Sequence, residues 1–258
     1  MEWRERDGLR WLEAELPGAR AAFTTRRGGV SQPPYDGLNL GALTDDERAA
    51  VVENRRRLAV ALGFDAADVV VGHQVHAATL ATHAGPQSPS PFADPSAPIP
   101  EVDGHVSDAM GLALLVFAAD CVPVALAGPG GVAMLHCGWR GLAAGIVARG
   151  VAAVGATDAA IGPSIGRCCY EVGPEVLAAL APPPTGLSRD DVTRNRPVGG
   201  RVDLAGVARR LLREAGVGRI ELSGLCTRCE PGLFFSPRRD AGRSGRQAGL
   251  VWRTGEGD

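Results

Sequence analysis

The stretch AADCVPVALAGPGGVAMLHCGWRGLAA, residues 118–144, contains two short apolar runs on either side of a turn rich in glycine and proline. The runs, Val122 to Ala127 and Val132 to Leu135, have the length and composition of buried β-strands. An even-length loop, Gly128 to Gly131, places Ala127 opposite Val132 in an antiparallel pair. The stretch therefore predicts a β-hairpin within a larger sheet.

This register brings a thiol and an imidazole together. Pro123 lies opposite His136 and Cys121 opposite Gly138, and because side chains alternate along a strand, Cys121 and His136 share one face. Diagonal neighbours on one face are roughly 7 to 8 Å apart at Cα, close enough for a sulfur and an imidazole to reach one metal ion or each other. An odd loop or a bulge would break this arrangement, and Pro123 needs an edge or a position without a ladder hydrogen bond.

Outside the hairpin, the pattern of elements predicts one α/β domain over residues 1–258, without internal repeats or a sharp boundary. Strands are expected at Gly18–Thr25, Val69–Val75, Leu112–Ala118, Ala159–Ile161, Ile220–Leu225 and Leu250–Trp252. Helices are expected after a capping box at Thr44–Glu47, over Leu142–Val154, from Pro174, and from an Asp203 cap to Leu212. Two irregular segments, Ala84–Pro100 and Pro182–Gly200, interrupt this pattern, and the first is interpreted as a mobile surface loop, either a lid or a tolerated insertion.

Composition narrows the class of function. The 258 residues are 45% hydrophobic with a formal net charge of -2, so no basic surface for nucleic acid or an anionic membrane is expected. No apolar run reaches the length of a membrane span and the first residues do not resemble a signal peptide, which predicts a cytoplasmic protein. The chain has no lysine, so any anion must be held by arginine or by main-chain amides. Chemistry on a small molecule is the expected function.

Three of the cysteine and histidine residues form a candidate metal site. His76, Cys121 and His136 fall at the predicted ends of β segments, and an N/S/N ligand set with an open fourth position is typical of catalytic zinc. Spacing alone leaves open the alternative of a buried cysteine and ordinary histidines. His73 is expected to be structural, and Cys137 is expected to point away from the site.

The other cysteines are expected to be reduced and structural. Six cysteines occur in a chain of this length without a signal peptide, which favours free thiols over a disulfide framework. The single CxxC motif at Cys226 and Cys229 lacks an obvious second ligand pair, so a structural role is favoured over a zinc ribbon or a redox centre. The sequence does not determine the roles of Cys168 and Cys169.

Two segments could hold an anion. Gly138-Trp139-Arg140-Gly141 opens a predicted helix whose amides, together with Arg140, could receive a phosphate or carboxylate, although a tight turn with a packed tryptophan explains the motif equally well. Arg26, beside Gly28-Gly29, carries the same ambiguity. Asp120 is expected to make a structural hydrogen bond, and Asp103, which precedes a glycine, is read as a turn residue and a candidate general acid.

The segments together resemble the multicopper polyphenol oxidoreductase, or laccase-domain, family, whose members are also described as purine nucleoside phosphorylases. The matching motifs span nearly the whole chain in order and are TTRRGGVS from Thr24, LNLG from Leu38, ENRRRL from Glu53, HQVH from His73, VDG from Val102, AADCVPV from Ala118, LHCGWRG from Leu135, IGPSIGRCCYEVG from Ile161, and FFSPRRD and GRQAG near the end.

The resemblance implies a fold of mixed β-sheets covered by helices, a layered α/β/β/α sandwich similar to that of the cytotoxic necrotizing factor toxins. It also implies zinc, with copper as an alternative, bound by His76, Cys121 and His136. The associated reactions are phosphorolysis of adenosine, guanosine, inosine and methylthioadenosine, deamination of adenosine, and copper-dependent polyphenol oxidation. Five histidines are too few for several copper ions, so nucleoside chemistry ranks above oxidation.

The working hypothesis is phosphorolysis of purine nucleosides, with Cys121 and His136 at the reacting centre, Arg26 or Arg140 near the phosphate, and Gly138 at the anion site. Three alternatives remain open. Cys121 could be a nucleophile activated by His136 in an amidohydrolase. The chain could edit peptidoglycan precursors, or it could be a zinc-holding binding module without catalysis.

Overall fold

The computed structural model describes residues 1–181 and 200–255, so the expected irregular segment Pro182–Gly200 lies outside the described residues except for Gly200. The strands are β1 (Glu2–Arg6), β2 (Leu9–Leu16), β3 (Ala19–Thr24), β4 (Val69–Val70), β5 (Leu80–Thr82), β6 (Gly104–Ser107), β7 (Ala113–Ala118), β8 (Val122–Gly128), β9 (Gly131–Cys137), β10 (Asp158–Ile161), β11 (Glu171–Val172), β12 (Gly200–Arg201), β13 (Arg219–Leu222) and β14 (Gln247–Arg253). The helices are α1 (Arg48–Leu62), α2 (Trp139–Ala143), α3 (Ile146–Val154), α4 (Pro174–Leu180) and α5 (Leu204–Glu214), with a 3-10 turn at Ala66–Asp68.

The strands form two six-stranded mixed sheets and a small pair of β11 with β12. The first sheet has the order β1-β2-β3-β14-β7-β4, with antiparallel neighbours except for the parallel pair β7 and β4. The second has the order β13-β10-β8-β9-β6-β5, with parallel pairs at both edges and antiparallel pairs between them. The hairpin that the sequence predicts is the centre of this second sheet.

Apolar side chains on both faces of the sheets produce four layers. Val124 and Leu126 of β8 pack with Ile146, Val147 and the other buried residues of the helices on the outer face. Ala125, Ala127 and Met134, on the opposite face of the hairpin, pack against the first sheet. A third cluster fills the space between the first sheet and α1. The central strands β7, β8 and β9 are covered on both faces and are mostly apolar, whereas the edge strands β1 and β13 carry charged residues and are exposed or half-buried. The expected α/β/β/α sandwich is confirmed.

The hairpin register agrees with the sequence prediction. Ala127 pairs with Val132 and Pro123 with His136, although both strands are longer than expected and the turn is reduced to Pro129-Gly130. The N–H of His136 donates to the carbonyl of Asp103 on the β6 side. The Pro123–His136 pair therefore needs no hydrogen bond from proline, and β8 can lie inside the sheet.

Several other elements differ from expectation. The predicted strand Val69–Val75 is only Val69–Val70, so His76 lies in a loop and not at a strand end. The prediction of a capping box at Thr44–Glu47 is wrong. Helix α1 begins at Arg48, its N-cap residue Glu47 makes no side-chain capping hydrogen bond, and the Thr44 hydroxyl donates to the Gly41 carbonyl instead.

The predicted helix Leu142–Val154 is instead two helices, α2 and α3, separated at Gly145, whose φ of 84° belongs to the left-handed region. The strand expected at Ile220–Leu225 runs from Arg219 to Leu222, and β14 lies inside the first sheet. The Asp203 cap of α5 and Pro174 in the first turn of α4 are confirmed. Helix α1 ends at Gly63, which adopts a left-handed conformation.

The proline-rich segment 84–100 has no helix or strand, as expected, but it is anchored and not a loose surface loop. Phe92 is fully buried against the first sheet. The guanidinium of Arg55, itself 2% exposed, donates to the carbonyls of Pro91 and Phe92 and of Leu40. Among the described residues, no helix combines the length and apolarity needed to cross a membrane.

Candidate metal centre

A cavity of about 600 Å³ opens at the end of the hairpin that carries Cys121 and His136. Its wall includes residues of the proline-rich segment, among them Pro91, Pro95 and Ile99. Aromatic and cationic side chains complete the wall, namely Phe117, Trp139, Tyr170, Arg55, Arg140, Arg238 and Arg246. A volume of this size accommodates a small organic ligand.

His76, Cys121 and His136 meet at this cavity. The ligand-type atoms of all three lie within 4.8 Å of one another. The two imidazole rings stand 4.9 Å apart between centroids, at an interplanar angle of 72°. His136 is buried, Cys121 is half-buried and His76 is exposed. The convergence expected from the sequence is present, and these residues form a candidate metal-binding site.

Asp103 positions two of the three side chains. This fully buried carboxylate accepts a hydrogen bond from Nδ1 of His136 at 2.8 Å, which leaves Nε2 of His136 directed toward the site. It also accepts from the main-chain N–H groups of Val75, His76 and Ala77 at 3.1, 2.9 and 2.7 Å. Asp103 is thus not a turn residue, as the sequence suggested, but the group that joins the His76 loop to His136.

The main chain around the ligands is held in restricted conformations. His76 has φ 63° and Asp120, directly before Cys121, has φ 77°, both in the left-handed region that L residues rarely adopt. The Asp120 carboxylate accepts from the Thr227 hydroxyl and from the Arg238 N–H, the structural role expected for it. Fixed hydrogen bonds therefore hold each strained residue in place.

Gly138 provides room for the ligands. A Cβ at this position would lie 2.9 Å from Cδ2 of His76 and 3.3 Å from the Cys121 sulfur. The sequence left open whether Gly138 presents amides to an anion at a helix start or belongs to a tight turn with a packed tryptophan, and the helix that begins there, α2, spans only Trp139–Ala143. So short a helix carries little of the dipole that the anion hypothesis requires.

The electrostatics of the site favour an ionised thiol. Burial opposes ionisation of Cys121, but the charge and hydrogen bonds of His136 and His76 outweigh burial and lower the thiol pKa to about 6. Burial likewise disfavours the imidazolium of His136, yet the Cys121 thiolate and the Asp103 carboxylate raise its pKa to about 9. These interactions favour the Cys121 thiolate together with the His136 imidazolium, and binding of a metal by Nε2 of His136 would release the proton from that nitrogen.

The donor set fits zinc. Two imidazole nitrogens and a thiolate are zinc ligands, and three protein ligands leave one position for a substrate. The hydrogen bond from His136 Nδ1 to Asp103 fixes the ring so that its other nitrogen is free to bind, an arrangement common around protein zinc. Cys137, next to His136, packs in the core under the helices and points away, as expected.

Arginine side chains supply positive charge at the cavity. Arg140, Arg238 and Arg246 line it, and none of them pairs with a carboxylate in residues 1–181 and 200–255. Within the part of the chain that the structure describes, the guanidinium of Arg246 donates to the carbonyls of Ser244 and Gly245. Burial lowers the pKa of Arg246, so an anion beside it would relieve the cost of its charge.

Arg26, expected near the anion, is placed elsewhere. Its guanidinium binds the side chain and carbonyl of Asp36 and the carbonyl of Pro231, and it stacks on the Phe235 ring. It does not line the cavity. His73 lines the cavity wall but is not part of the ligand group.

The structure corrects the expectation for the CxxC motif. Cys226 and Cys229, which seemed to lack a second ligand pair, lie beside Cys168 and Cys169, and all four sulfurs are within 4.8 Å of one another. Sequence reasoning also did not identify Arg246 at the cavity. Its position in the GRQAG motif was the available signal, since that motif was noted without a role.

Comparisons with known proteins place the chain among enzymes of one family. A family model described as multi-copper polyphenol oxidoreductase laccase matches residues 20–254. The chain is 38% identical over 261 residues to purine nucleoside phosphorylase YlmD of Geobacillus stearothermophilus, covering 95% of each protein. It is 42% identical over 243 residues to purine nucleoside phosphorylase ORF3 of Streptomyces griseus, covering 91% of this chain and 94% of the relative. The crystal structure of hypothetical protein YfiH from Bacillus licheniformis is similar with a TM-score of 0.88 at 33% identity, covering 98% and 99% of the two chains.

Proposed function

The chain belongs to the multi-copper polyphenol oxidoreductase laccase family, and from this premise we propose that it is a zinc-dependent purine nucleoside phosphorylase. The proposed substrates are adenosine, inosine, guanosine and methylthioadenosine together with inorganic phosphate, and the same site would deaminate adenosine as a side reaction. We place the enzyme in the cytoplasm, where its six free cysteines would stay reduced.

The observation that carries the proposal is that one cavity holds the three candidate metal ligands and arginines that have no carboxylate partner among the described residues. Phosphorolysis joins a phosphate oxygen to C1′ of the ribose, while the bond from C1′ to the purine nitrogen breaks and its electron pair leaves with the base. The departing base then takes up a proton. Such a reaction requires an anion site, a place for a flat base and a group that stabilises developing negative charge.

The residues of the cavity can fill these roles. Arg140 and Arg246 would bind phosphate, since neither has a carboxylate partner among the described residues. Phe117, Trp139 and Tyr170 offer aromatic surface for the purine. His76, Cys121 and His136 would hold zinc, which would supply a Lewis acid when bound. Asp103 would keep His136 oriented as a ligand.

Polyphenol oxidation fits the residues less well. Oxidation of this type normally uses several copper ions with many histidine ligands, and the chain has five histidines. Two of them belong to the candidate metal centre, and His83 and His105 contact each other with their nitrogens 3.1 Å apart. Among the described residues, one group of three or more possible metal ligands contains histidine, namely His76, Cys121 and His136, and this is too few for several copper ions.

The test is product analysis. Purified protein incubated with adenosine and phosphate should form adenine and ribose 1-phosphate, and omission of phosphate should abolish both. Inosine would indicate deamination. Bound zinc with formation of neither adenine nor inosine would contradict the proposal and favour a binding module. Release of an amino acid from a peptidoglycan precursor would favour the editing function.

Paired variants separate the metal ligands from general damage to the fold. Cys121→Ala should lose one zinc and nearly all phosphorolysis, because the site would keep only two ligands. Cys137→Ala, which changes a residue on the opposite face of the same hairpin, should retain the bound zinc and the phosphorolysis activity. If Cys121→Ala retains its zinc content and full turnover, the assigned site is wrong.

The phosphate assignment has its own test. Arg246→Met should raise KM for phosphate at least tenfold, because a neutral side chain cannot attract the anion. Arg243→Met is the matched control, since Arg243 is exposed and does not line the cavity. Equal KM values in the two variants would place the phosphate elsewhere.

One observation favours a second candidate. Asp103, His136 and Cys121 form a chain of contacts in which an acid orients an imidazole beside a thiolate, as in cysteine hydrolases. In that case the Cys121 thiolate would add to the carbonyl carbon of a carboxamide, ammonia would leave with a proton from the His136 imidazolium, and water would then hydrolyse the thioester. Here His76→Ala discriminates, because it removes a zinc ligand but leaves the Cys121–His136 pair intact. Amide hydrolysis that survives in this variant and increases after zinc is chelated would support the hydrolase.

A further inference from the structure

A second group of cysteines lies outside the cavity. Cys168 and Cys169 follow β10 and Cys226 and Cys229 follow β13, two strands that pair in parallel. The sulfur of Cys229 stands 3.5 Å from that of Cys168 and 3.4 Å from that of Cys169. All four sulfurs lie within 4.8 Å of one another, although the two pairs are about 60 residues apart in the chain.

The main chain supports charge on this group. The N–H of Gly166 donates to the Cys226 sulfur at 3.1 Å. N–H groups directed at a cysteine sulfur stabilise the thiolate form, which is the form that binds metals.

We propose that Cys168, Cys169, Cys226 and Cys229 form a structural zinc site, separate from the metal centre of the cavity. Four thiolates about 2.3 Å from a tetrahedral zinc ion are about 3.8 Å from one another, and the observed sulfur group has this size. All four positions are protein ligands, so no place remains for a substrate. The site would therefore be structural, whereas the cavity site offers three ligands and an open position.

Geometry also separates zinc from a pair of disulfides. The 3.4 and 3.5 Å sulfur distances are contacts between free thiols and far exceed the length of a disulfide bond, about 2.05 Å. Cys229 is near two sulfurs at once, an arrangement that a metal satisfies but that one disulfide cannot. Cys168 and Cys229 are exposed, so a zinc ion can reach the group from solvent.

The zinc would fasten one wall of the cavity. Tyr170, which follows Cys169, lines the cavity, and the Arg238 guanidinium lies 4.8 Å from its ring centroid. Thr227, between Cys226 and Cys229, donates to Asp120, the residue before the ligand Cys121. A metal that joins the loops after β10 and β13 would thus fix the positions of Tyr170, Arg238 and Asp120 relative to one another at the cavity wall.

Zinc stoichiometry tests the site with the full chain purified under reducing conditions. Elemental analysis should find two zinc ions per chain in the unaltered protein and one in Cys229→Ser. Cys121→Ser should also retain one, and the double variant should retain none. Cobalt bound to Cys121→Ser should show the intense visible absorption of a tetrahedral thiolate complex. One zinc in both the unaltered protein and Cys229→Ser would overturn the proposal.

Alkylation provides a second readout that does not depend on the folding of a variant. In the zinc-loaded protein Cys168 and Cys229 should resist iodoacetamide despite their exposure, and chelation should make them react. Rapid alkylation before chelation would also overturn the proposal. Phosphorolysis is not needed for either readout, so this site can fail while the proposed enzyme activity stands, and the reverse is equally true.

Discussion

Gly138 lies close to two of the candidate metal ligands, His76 and Cys121. Its φ of -76° is compatible with alanine, so Gly138→Ala adds only a methyl group, 2.9 Å from His76 and 3.3 Å from the Cys121 sulfur. We expect zinc to bind roughly tenfold to hundredfold more weakly, as when a group that orients a ligand is lost. Competition with a chromogenic chelator measures this change.

The matched control for that variant is Gly85→Ala, because an added Cβ there has nothing within 4 Å and no unusual φ. It should bind zinc like the unaltered protein. If Gly138→Ala has the same zinc affinity as Gly85→Ala, the close approach at Gly138 does not shape the site.

Single residues also mark where sequence reasoning stops. The pairing of Cys121 with His136 could be predicted, because both lie on one hairpin whose loop length fixes the register. The role of Asp103 could not, because it depends on three N–H groups of a loop that no local pattern specifies. His76 was assigned to a strand end, yet the same loop brings it to the site.

Among the secondary-structure elements, helix α1 holds the proline-rich segment through Arg55. Its guanidinium donates to three main-chain carbonyls and lies near the rings of Phe92 and Phe117, 5.1 and 5.2 Å from their centroids. Arg55→Met would leave those carbonyls without donors, at about 1–3 kcal/mol for each buried group that stays unpaired. We expect the free energy of unfolding to fall by about 2–4 kcal/mol. Urea denaturation measures the loss, and limited proteolysis should show new cleavage within residues 84–100.

Arg56→Met is the control on the next residue of the helix. Arg56 points to solvent and, among the residues that the structure describes, pairs with Glu53 alone, so its loss should leave stability and proteolysis unchanged. Equal destabilisation by both substitutions would mean that Arg55 does not anchor the segment.

The differences between predicted and observed elements have physical causes. Gly145 divides one apolar stretch into α2 and α3 because its left-handed conformation ends the first helix, and periodicity alone does not reveal that conformation. The four-cysteine group was missed because its pairs come from strands distant in sequence that become neighbours only through the parallel pairing of β10 with β13.

Unfolding of the domain as a whole should depend on pH through His105. This side chain is fully buried on β6, and burial together with the neighbouring charge of His83 lowers its pKa to about 3. The unfolded chain, whose histidines titrate near 6.5, binds more protons between about pH 3 and 6.5. The contribution of neutral His105 to the free energy of unfolding is therefore fully present above about pH 6.5. It decreases by about 1.4 kcal/mol for each pH unit below that value, until the pH approaches the pKa of the folded state.

Denaturation curves at several pH values check this dependence against His105→Gln, which cannot titrate. The variant should lose less stability than the unaltered protein on going from neutral to acidic pH. Parallel curves for the two proteins would contradict the assigned titration.

The layered architecture was predicted for the domain through its family resemblance, whereas composition and periodicity alone reached only an α/β class. Neither the family resemblance nor the periodicity predicted the order of the strands within the sheets. For example, β14 comes from the end of the chain but lies between β3 and β7. Apolar runs show that a strand is covered on both faces but not which strands are its neighbours.

The left-handed main-chain conformation of His76 has a consequence for the rate at which a bound metal would exchange. Because a hydrogen bond to Asp103 holds this residue in its left-handed conformation, folding of the chain itself orders the candidate ligand. His76 is also exposed where it lines the cavity. A zinc ion bound as proposed would therefore exchange at a rate set by dissociation from its ligands, and the folded chain would take it up again without unfolding.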